Sequence, residues 1–279
     1  MQALVNTDIL SIYLQQDASN LADEPLFGMK IKILDGEIGG YVRIQAPYRY
    51  EGYVPKDMLQ SGILISDEIC ISHWDSVKKW VVWAPYLDVM AEPTVHARII
   101  AHVPRGGYLE KLDSVDSDKT IGDGYIQVGL PDKSRGFVRR PCIRDEIIHA
   151  LKETEMREAL VRTAKLYMGV QYRWGGKTPL GIDCSGLTSM SYLLNGSIIY
   201  RDADIRPGFE MREIPFEEKK PGDLVFFKGH VAMYIGGGEF IHATANPKAE
   251  GVVINSFESS SPIFRKDLLE SVIKAGTIF

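Results

Sequence analysis

Cysteine is scarce in this chain. Cys70, Cys142 and Cys184 are its three cysteines, too few and too scattered for a disulfide framework. No CxxC or HExxH spacing occurs, so no metal site is indicated, and no cofactor is expected. Positive charge is not in excess either: 32 Lys and Arg stand against 37 Asp and Glu, a net charge of −5. That balance argues against a nucleic-acid binder, which usually carries a basic field. No apolar run is long enough to cross a bilayer, so no membrane span is expected. Low-complexity segments are missing altogether. The first residues, Met1 to Asp8, lack a basic stretch followed by an apolar core and do not read as a secretory signal. As written the chain is expected in the cytoplasm, with an extracellular location the alternative if a signal has been removed.

What is present is ordinary globular composition, 45% hydrophobic and 25% charged over 279 residues, enough for two or three compact domains. Two segments share a pattern. Gly39-Gly40-Tyr41-Val42-Arg43-Ile44-Gln45 leads to Glu51-Gly52-Tyr53-Val54, and Gly122-Asp123-Gly124-Tyr125-Ile126-Gln127-Val128 leads to Arg135-Gly136-Phe137-Val138. In both, 11 residues separate the first aromatic from the later glycine, and the copies are offset by 84 residues. Each copy reads as two short alternating strands around a polar turn. Short strands with glycine turns at close spacing suggest small barrels, two in tandem, over residues 1–66 and 67–145. Cys70, in Ile69-Cys70-Ile71, and Cys142, beside Ile143, read as small buried or half-buried residues. The charged stretch Arg144-Asp145-Glu146 marks a boundary, and a third domain is expected over 146–279. There, Met156, Leu160, Ala164 and Tyr167 give one apolar face to a helix over 153–168, stopped by Gly169.

The chemistry-bearing residues lie in this last part. Asp183-Cys184-Ser185-Gly186 is followed by Gly229-His230-Val231 and Ile241-His242-Ala243. A thiol, an imidazole to take its proton and a third polar group to orient that imidazole are the parts of a covalent cysteine hydrolase. Asp183 is placed to cap a helix running from Cys184 to Leu194 and ended near Asn195-Gly196. Partial positive charge at the helix start, with a nearby imidazolium, is expected to lower the thiol pKa. Gly186 leaves space beside the nucleophile, and the helix amides face a developing oxyanion. Leu224 to Phe227 reads as a strand after the turn at 220–223. His230–Ile235 and Glu239–Ala243 flank Gly236-Gly237-Gly238 as a hairpin. Alternation puts Val231, Met233 and Ile235 on one face and His230 on the other. With the turn centred near Gly236, His230 and His242 face each other, and the second holds the tautomer and orientation of the first. A helix packed on an antiparallel sheet is an α+β architecture. His73, His96, His102 and His149 lack such a setting and read as structural.

As a set, these residues resemble the NlpC-type family of bacterial cell-wall cysteine peptidases, of papain-like fold. The match runs through Tyr172-Arg173-Trp174-Gly175-Gly176, Asp183-Cys184-Ser185-Gly186-Leu187, Arg201-Asp202-Ala203, Pro221-Gly222-Asp223-Leu224-Val225-Phe226-Phe227, Gly229-His230-Val231-Ala232-Met233-Tyr234-Ile235-Gly236 and Ile241-His242-Ala243. The resemblance implies Cys184 as nucleophile, His230 as base and His242 as the orienting residue. It puts Tyr172 at the cleft and the oxyanion site, and Trp174, Asp183, Ser185 and Asp202 around the substrate. Read without it, Trp174 is a packing aromatic and Asp202 a solvated carboxylate. The two barrels resemble bacterial SH3 domains, with Gly52-Tyr53 where Gly-Trp is common. The three-part make-up is similar to γ-D-glutamyl-L-diamino-acid endopeptidases, which cut cell-wall peptides between D-glutamate and diaminopimelate or lysine. In that subgroup the first barrel closes the cleft and binds the free amine of L-alanine, so the enzyme processes released peptides in recycling. Glu24 and Tyr50 are the implied candidates, a carboxylate facing an ammonium being sound chemistry for such selectivity. The expected partner is thus a cell-wall peptide, and an extracellular form would be wall-associated. The alternatives are a related cysteine amidase or acyltransferase on another substrate, or a non-catalytic peptidoglycan-binding protein.

Overall fold

Alternating short runs with glycine turns form two antiparallel sheets of seven strands each. A computed structural model of the chain describes residues 1–34, 36–59, 61–112, 120–122, 124–147, 151–249 and 251–279, so Asp123 and His149 lie outside the described residues. The chain divides into two compact units, Met1–Glu146 and Ile147–Phe279.

In the first unit, one sheet runs Leu21–Asp23, Ile12–Tyr13, Glu51–Pro55, Tyr41–Gln45, Lys30–Ile33, Gln2–Val5 and Leu64–Ile65. The other runs Ile99–Pro104, Tyr86–Met90, Arg135–Arg139, Tyr125–Gly129, Tyr108–Glu110, Lys79–Val82 and Ile143–Asp145. The spatial order is the same in both, so the repeat legible in the sequence is a repeat of topology. Its two copies occupy the equivalent hairpins, with Ile44 opposite Gly52 in one and Val128 opposite Gly136 in the other. The repeated glycine has a steric cause. A Cβ at Gly52 would stand 2.8 Å from the Tyr13 carbonyl oxygen, and one at Gly136 would stand 2.4 Å from a Val89 methyl. Each hairpin crosses a neighbouring strand too closely for a side chain there. Among the described residues the end strands of each sheet do not pair with each other. The all-β class is as expected, but the sheets are open and not closed barrels. Helix Glu68–Ser76 links them, capped by Asp67, which accepts from the Cys70 N–H at 2.9 Å. Its Trp74 is buried and donates to the Gly28 carbonyl at 3.0 Å. Cys70 and Cys142 are half-buried free thiols.

The second unit opens with helix Glu153–Lys165, whose Met156, Leu160 and Ala164 are buried along one face. It stops three residues short of the expected Met168. Leu166 and Tyr167 bond back to Thr163 and Ala164, a tightening that ends the α-helix before Gly169 turns with φ +77°. Helix Cys184–Leu193 follows, with Leu187, Met190 and Tyr192 fully buried. At its end Asn195 donates to Ser191 O and to Thr163 Oγ1, fastening the two helices together. A six-stranded antiparallel sheet completes the unit, in the order Arg212–Ile214, Val272–Thr277, Leu224–Phe227, His230–Gly236, Glu239–Thr244, Gly251–Ser256. Val225, Phe227, Ala232, Phe240 and Phe257 form an apolar cluster of the sheet, while helix Cys184–Leu193 packs against the strands carrying the two histidines. No helix among the described residues is long and apolar enough to cross a membrane.

Candidate active site

Asp183 caps the helix that begins at Cys184, as its place in the sequence predicts. Its Oδ1 accepts from the Gly186 N–H at 2.5 Å and its Oδ2 from the Gly175 N–H at 2.8 Å. Both oxygens also meet the Arg201 guanidinium, at 3.0 and 3.1 Å. Arg201 donates further to Ser185 Oγ at 2.8 Å and to the carbonyls of Gly175 and Gly176 at 3.0 and 3.2 Å. Arg201 is 1% exposed and Asp183 6%. This is a bidentate, fully enclosed ion pair, and it fixes where the helix starts. Asp183 and Ser185 are occupied in that clamp. Gly186 also differs from its expected role. A Cβ there would lie 2.2 Å from the Gly176 carbonyl oxygen, so the missing side chain admits backbone and not substrate.

Cys184 is buried, and burial pushes its thiol up to about 11, with the Asp183 charge acting in the same direction. The Val231 and Ser185 N–H groups and Arg201 act the other way and are outweighed. The expected lowering is therefore not the resting state: desolvation of the sulfur exceeds the field of the helix start. The Val231 N–H that reaches the sulfur belongs to the residue after His230, so the nucleophile stands at the beginning of the histidine strand.

His230 Nε2 lies 2.8 Å from His242 Nδ1, the rings 5.0 Å apart at 75°. The hairpin register pairs Met233 with Ile241 and Tyr234 with Phe240, with a bulge before Gly236 meets Glu239. The turn is thus centred one residue later than expected. The histidines form a diagonal pair and not a directly opposed one. A one-residue shift of the centre moves the partner by two, so alternation keeps both on one face. His242 Nε2 lies 2.9 Å from Asn255 Oδ1, whose amide nitrogen donates to the Ile263 carbonyl at 3.3 Å. Burial lowers His230 to about 3, helped by His242 and Arg265, and lowers His242 to about 4. Both imidazoles are neutral at rest, and thiol and base are held uncharged together.

Tyr172 is half-buried and pairs with Ile182, two residues before the nucleophile. Burial, Cys184 and Asp183 all raise its phenol, so it remains a hydrogen-bond donor. Trp174 is 65% exposed and Asp202 is exposed, both in the unit that holds Cys184. Glu24 and Tyr50 are buried side chains of the unit Met1–Glu146. Neither Arg201 nor Asn255 is marked as functional by its neighbours in the sequence. Arg201 lies within a matching motif, and an arginine beside Asp-Ala gives no hint that it is buried. Asn255 was reachable only through the pairing of strand Gly251–Ser256 with the strand of His242.

Known proteins resemble this chain. The model of the NlpC/P60 family matches residues 169–270. Dipeptidyl-peptidase 6 of Lysinibacillus sphaericus is 36% identical over 100% of both chains. A gamma-D-glutamyl-L-lysine dipeptidyl-peptidase of Bacillus cereus is 39% identical, over 84% of this chain and 69% of that one. The crystal structure of an NlpC/P60 family protein from Bacillus cereus superposes with a TM-score of 0.76 over 99% of this chain and 98% of that one, at 20% identity, a likeness of fold. With a free buried thiol at a helix start and a hydrogen-bonded histidine pair on the adjoining hairpin, the chain belongs to the NlpC/P60 family and is a cysteine peptidase.

Proposed function

We propose that the protein hydrolyses the bond between the γ-carboxyl of D-glutamate and the L-diamino acid, diaminopimelate or lysine, of bacterial cell-wall peptides, on substrates with a free N-terminal L-alanine. The observation that carries this reading is the His230–His242 hydrogen bond at the strand whose Val231 N–H reaches the Cys184 sulfur. The substrate class is supported by the Bacillus cereus relative, a gamma-D-glutamyl-L-lysine dipeptidyl-peptidase. A dipeptidyl-peptidase cuts after two residues, and in L-Ala-γ-D-Glu-diamino acid that cut falls at the γ-D-glutamyl bond.

In this mechanism Cys184 attacks the γ-carbonyl carbon as its proton passes to His230, so thiolate and imidazolium arise together and stabilise each other. The oxyanion forms near the helix start and Tyr172, whose phenol keeps its proton. His230 then protonates the departing amine, leaving a thioester. A water molecule, deprotonated by His230, attacks the thioester, and the thiol leaves with the proton restored. Arg201, Asp183 and Ser185 hold the helix start in place. Trp174 and Asp202 are assigned to substrate contact.

The test uses L-Ala-γ-D-Glu-diaminopimelate and its N-acetylated form, with products read by mass spectrometry and Cys184→Ala as control. Cleavage of the free-amine peptide alone, abolished in Cys184→Ala, is the expected result. Equal cleavage of both forms removes the free-amine part, and turnover that survives Cys184→Ala refutes the mechanism.

A further inference from the structure

We propose that Asn255 is a positioning residue of this site: its amide fixes the proton tautomer of both histidines and leaves His230 Nδ1 as the atom that takes the thiol proton. The inference rests on the cysteine-peptidase reading given above.

The Ile263 carbonyl accepts hydrogen bonds and cannot donate. It receives the Ser256 N–H at 3.0 Å and the Asn255 amide nitrogen at 3.3 Å. Turning the Asn255 amide over would set two oxygens against each other there. The amide oxygen is therefore committed to His242, 2.9 Å from Nε2. An amide oxygen only accepts, so Nε2 of His242 carries a proton. A neutral imidazole has one such proton, and burial keeps His242 neutral. Its Nδ1 is then a bare acceptor, 2.8 Å from His230 Nε2, which must hold the proton between them. His230 is also neutral, so its Nδ1 is left with a lone pair. Arg265, locked to Asp267 at 2.8 and 2.6 Å, disfavours protonation of both rings and cannot supply an acceptor in place of Asn255.

Without Asn255 the pair has an equivalent inverted state. His242 Nδ1–H then donates to His230 Nε2, and the proton of His230 moves to Nδ1. That state keeps the ring–ring hydrogen bond and places a proton where the thiol must deliver its own. The backbone places the lock correctly. His242 pairs with Val253, so Asn255 is its diagonal neighbour on the same face of the adjacent strand.

The test is a long-range 1H–15N spectrum of the full chain, labelled at histidine nitrogen, in the Cys184→Ala background. Both His230 and His242 are expected as single Nε2–H tautomers. Adding Asn255→Ala is expected to give a mixture, and Asn255→Asp, which keeps an oxygen acceptor, to return the single form. With Cys184 intact, Asn255→Ala is expected to lower kcat about 10- to 100-fold, the usual cost of losing a residue that orients a histidine, with KM unchanged. A proton on Nδ1 of His230 in the parent spectrum, or unchanged tautomers and unchanged kcat in Asn255→Ala, overturns the proposal. The parent spectrum needs no variant at 255 that folds and no substrate. Its outcome is therefore separate from the peptide assignment.

Discussion

Replacing Arg201 with methionine removes its hydrogen bonds to both Asp183 carboxylate oxygens, to Ser185 and to the Gly175 and Gly176 carbonyls. Asp183 then remains a buried carboxylate with the N–H groups of Gly175 and Gly186 and the Ser185 hydroxyl, which lies 3.2 Å from Oδ1. Breaking a buried ion pair from one side costs about 3–5 kcal/mol, mostly because the surviving charge is uncompensated. The three remaining donors place the loss near the lower end, about 3 kcal/mol. For a unit the size of Ile147–Phe279, 1 kcal/mol moves the midpoint by roughly 3–4 °C, so its transition falls by about 10 °C. Arg201→Lys keeps the charge and loses the planar fork, so it recovers less than half of the loss. Adding Asp183→Asn to Arg201→Met removes the stranded charge and is expected to restore part of the stability, the signature of coupling between neighbours. The assay is thermal unfolding of the full chain followed by near-ultraviolet circular dichroism, with kcat measured alongside. A midpoint for Arg201→Met within 1–2 °C of the parent, or a double variant destabilised by the sum of the single losses, would refute the reasoning.

Stability is also expected to fall as pH drops from 6.5 toward 4. His230 and His242 are held at about 3 and about 4 in the fold against 6.5 when free, so the unfolded chain binds more protons across that interval. Melting curves at pH 7, 6 and 5 check this: His242→Phe, which keeps the buried His230, is expected to lose less stability on acidification than the parent, and an equal loss in both would refute the His242 share. Trp174, at 65% exposure, is expected to matter to substrate and not to folding. Trp174→Ala should leave the melting midpoint within about 1 °C, as surface substitutions usually do, while KM rises roughly fivefold from the lost aromatic contact, worth about 1 kcal/mol. A lowered midpoint with unchanged KM would make it a packing residue.

Patterns of residue type and spacing carried much of this fold. The 84-residue repeat became one topology formed twice because Gly52 and Gly136 each answer the same local need, a carbonyl or methyl too close for a Cβ. Asp183, as an N-cap, announced the start of the cysteine helix, and the alternation around Gly236–Gly238 put two histidines on one face. What stayed hidden depends on a third element arriving. Sheet closure is decided by how the end strands are placed, which no local period encodes. The Cys184 thiol is raised because burial competes with the helix field, and burial is a property of the packed unit. Arg201 had no role marked by its neighbours in the sequence, and gains one only where Asp183, Ser185 and two glycine carbonyls surround it.

The same division explains why the histidine pair was legible while its polarity was not. Two imidazoles 2.8 Å apart can share their proton in either direction, and nothing in the hairpin itself chooses. The choice is made one strand further out, by an amide whose own orientation is set by a main-chain carbonyl. Direction in the proton chain is therefore imposed from outside the hairpin inward, from Ile263 through Asn255 and His242 to His230. The residue with the least chemical reactivity in the series decides what the reactive one can do.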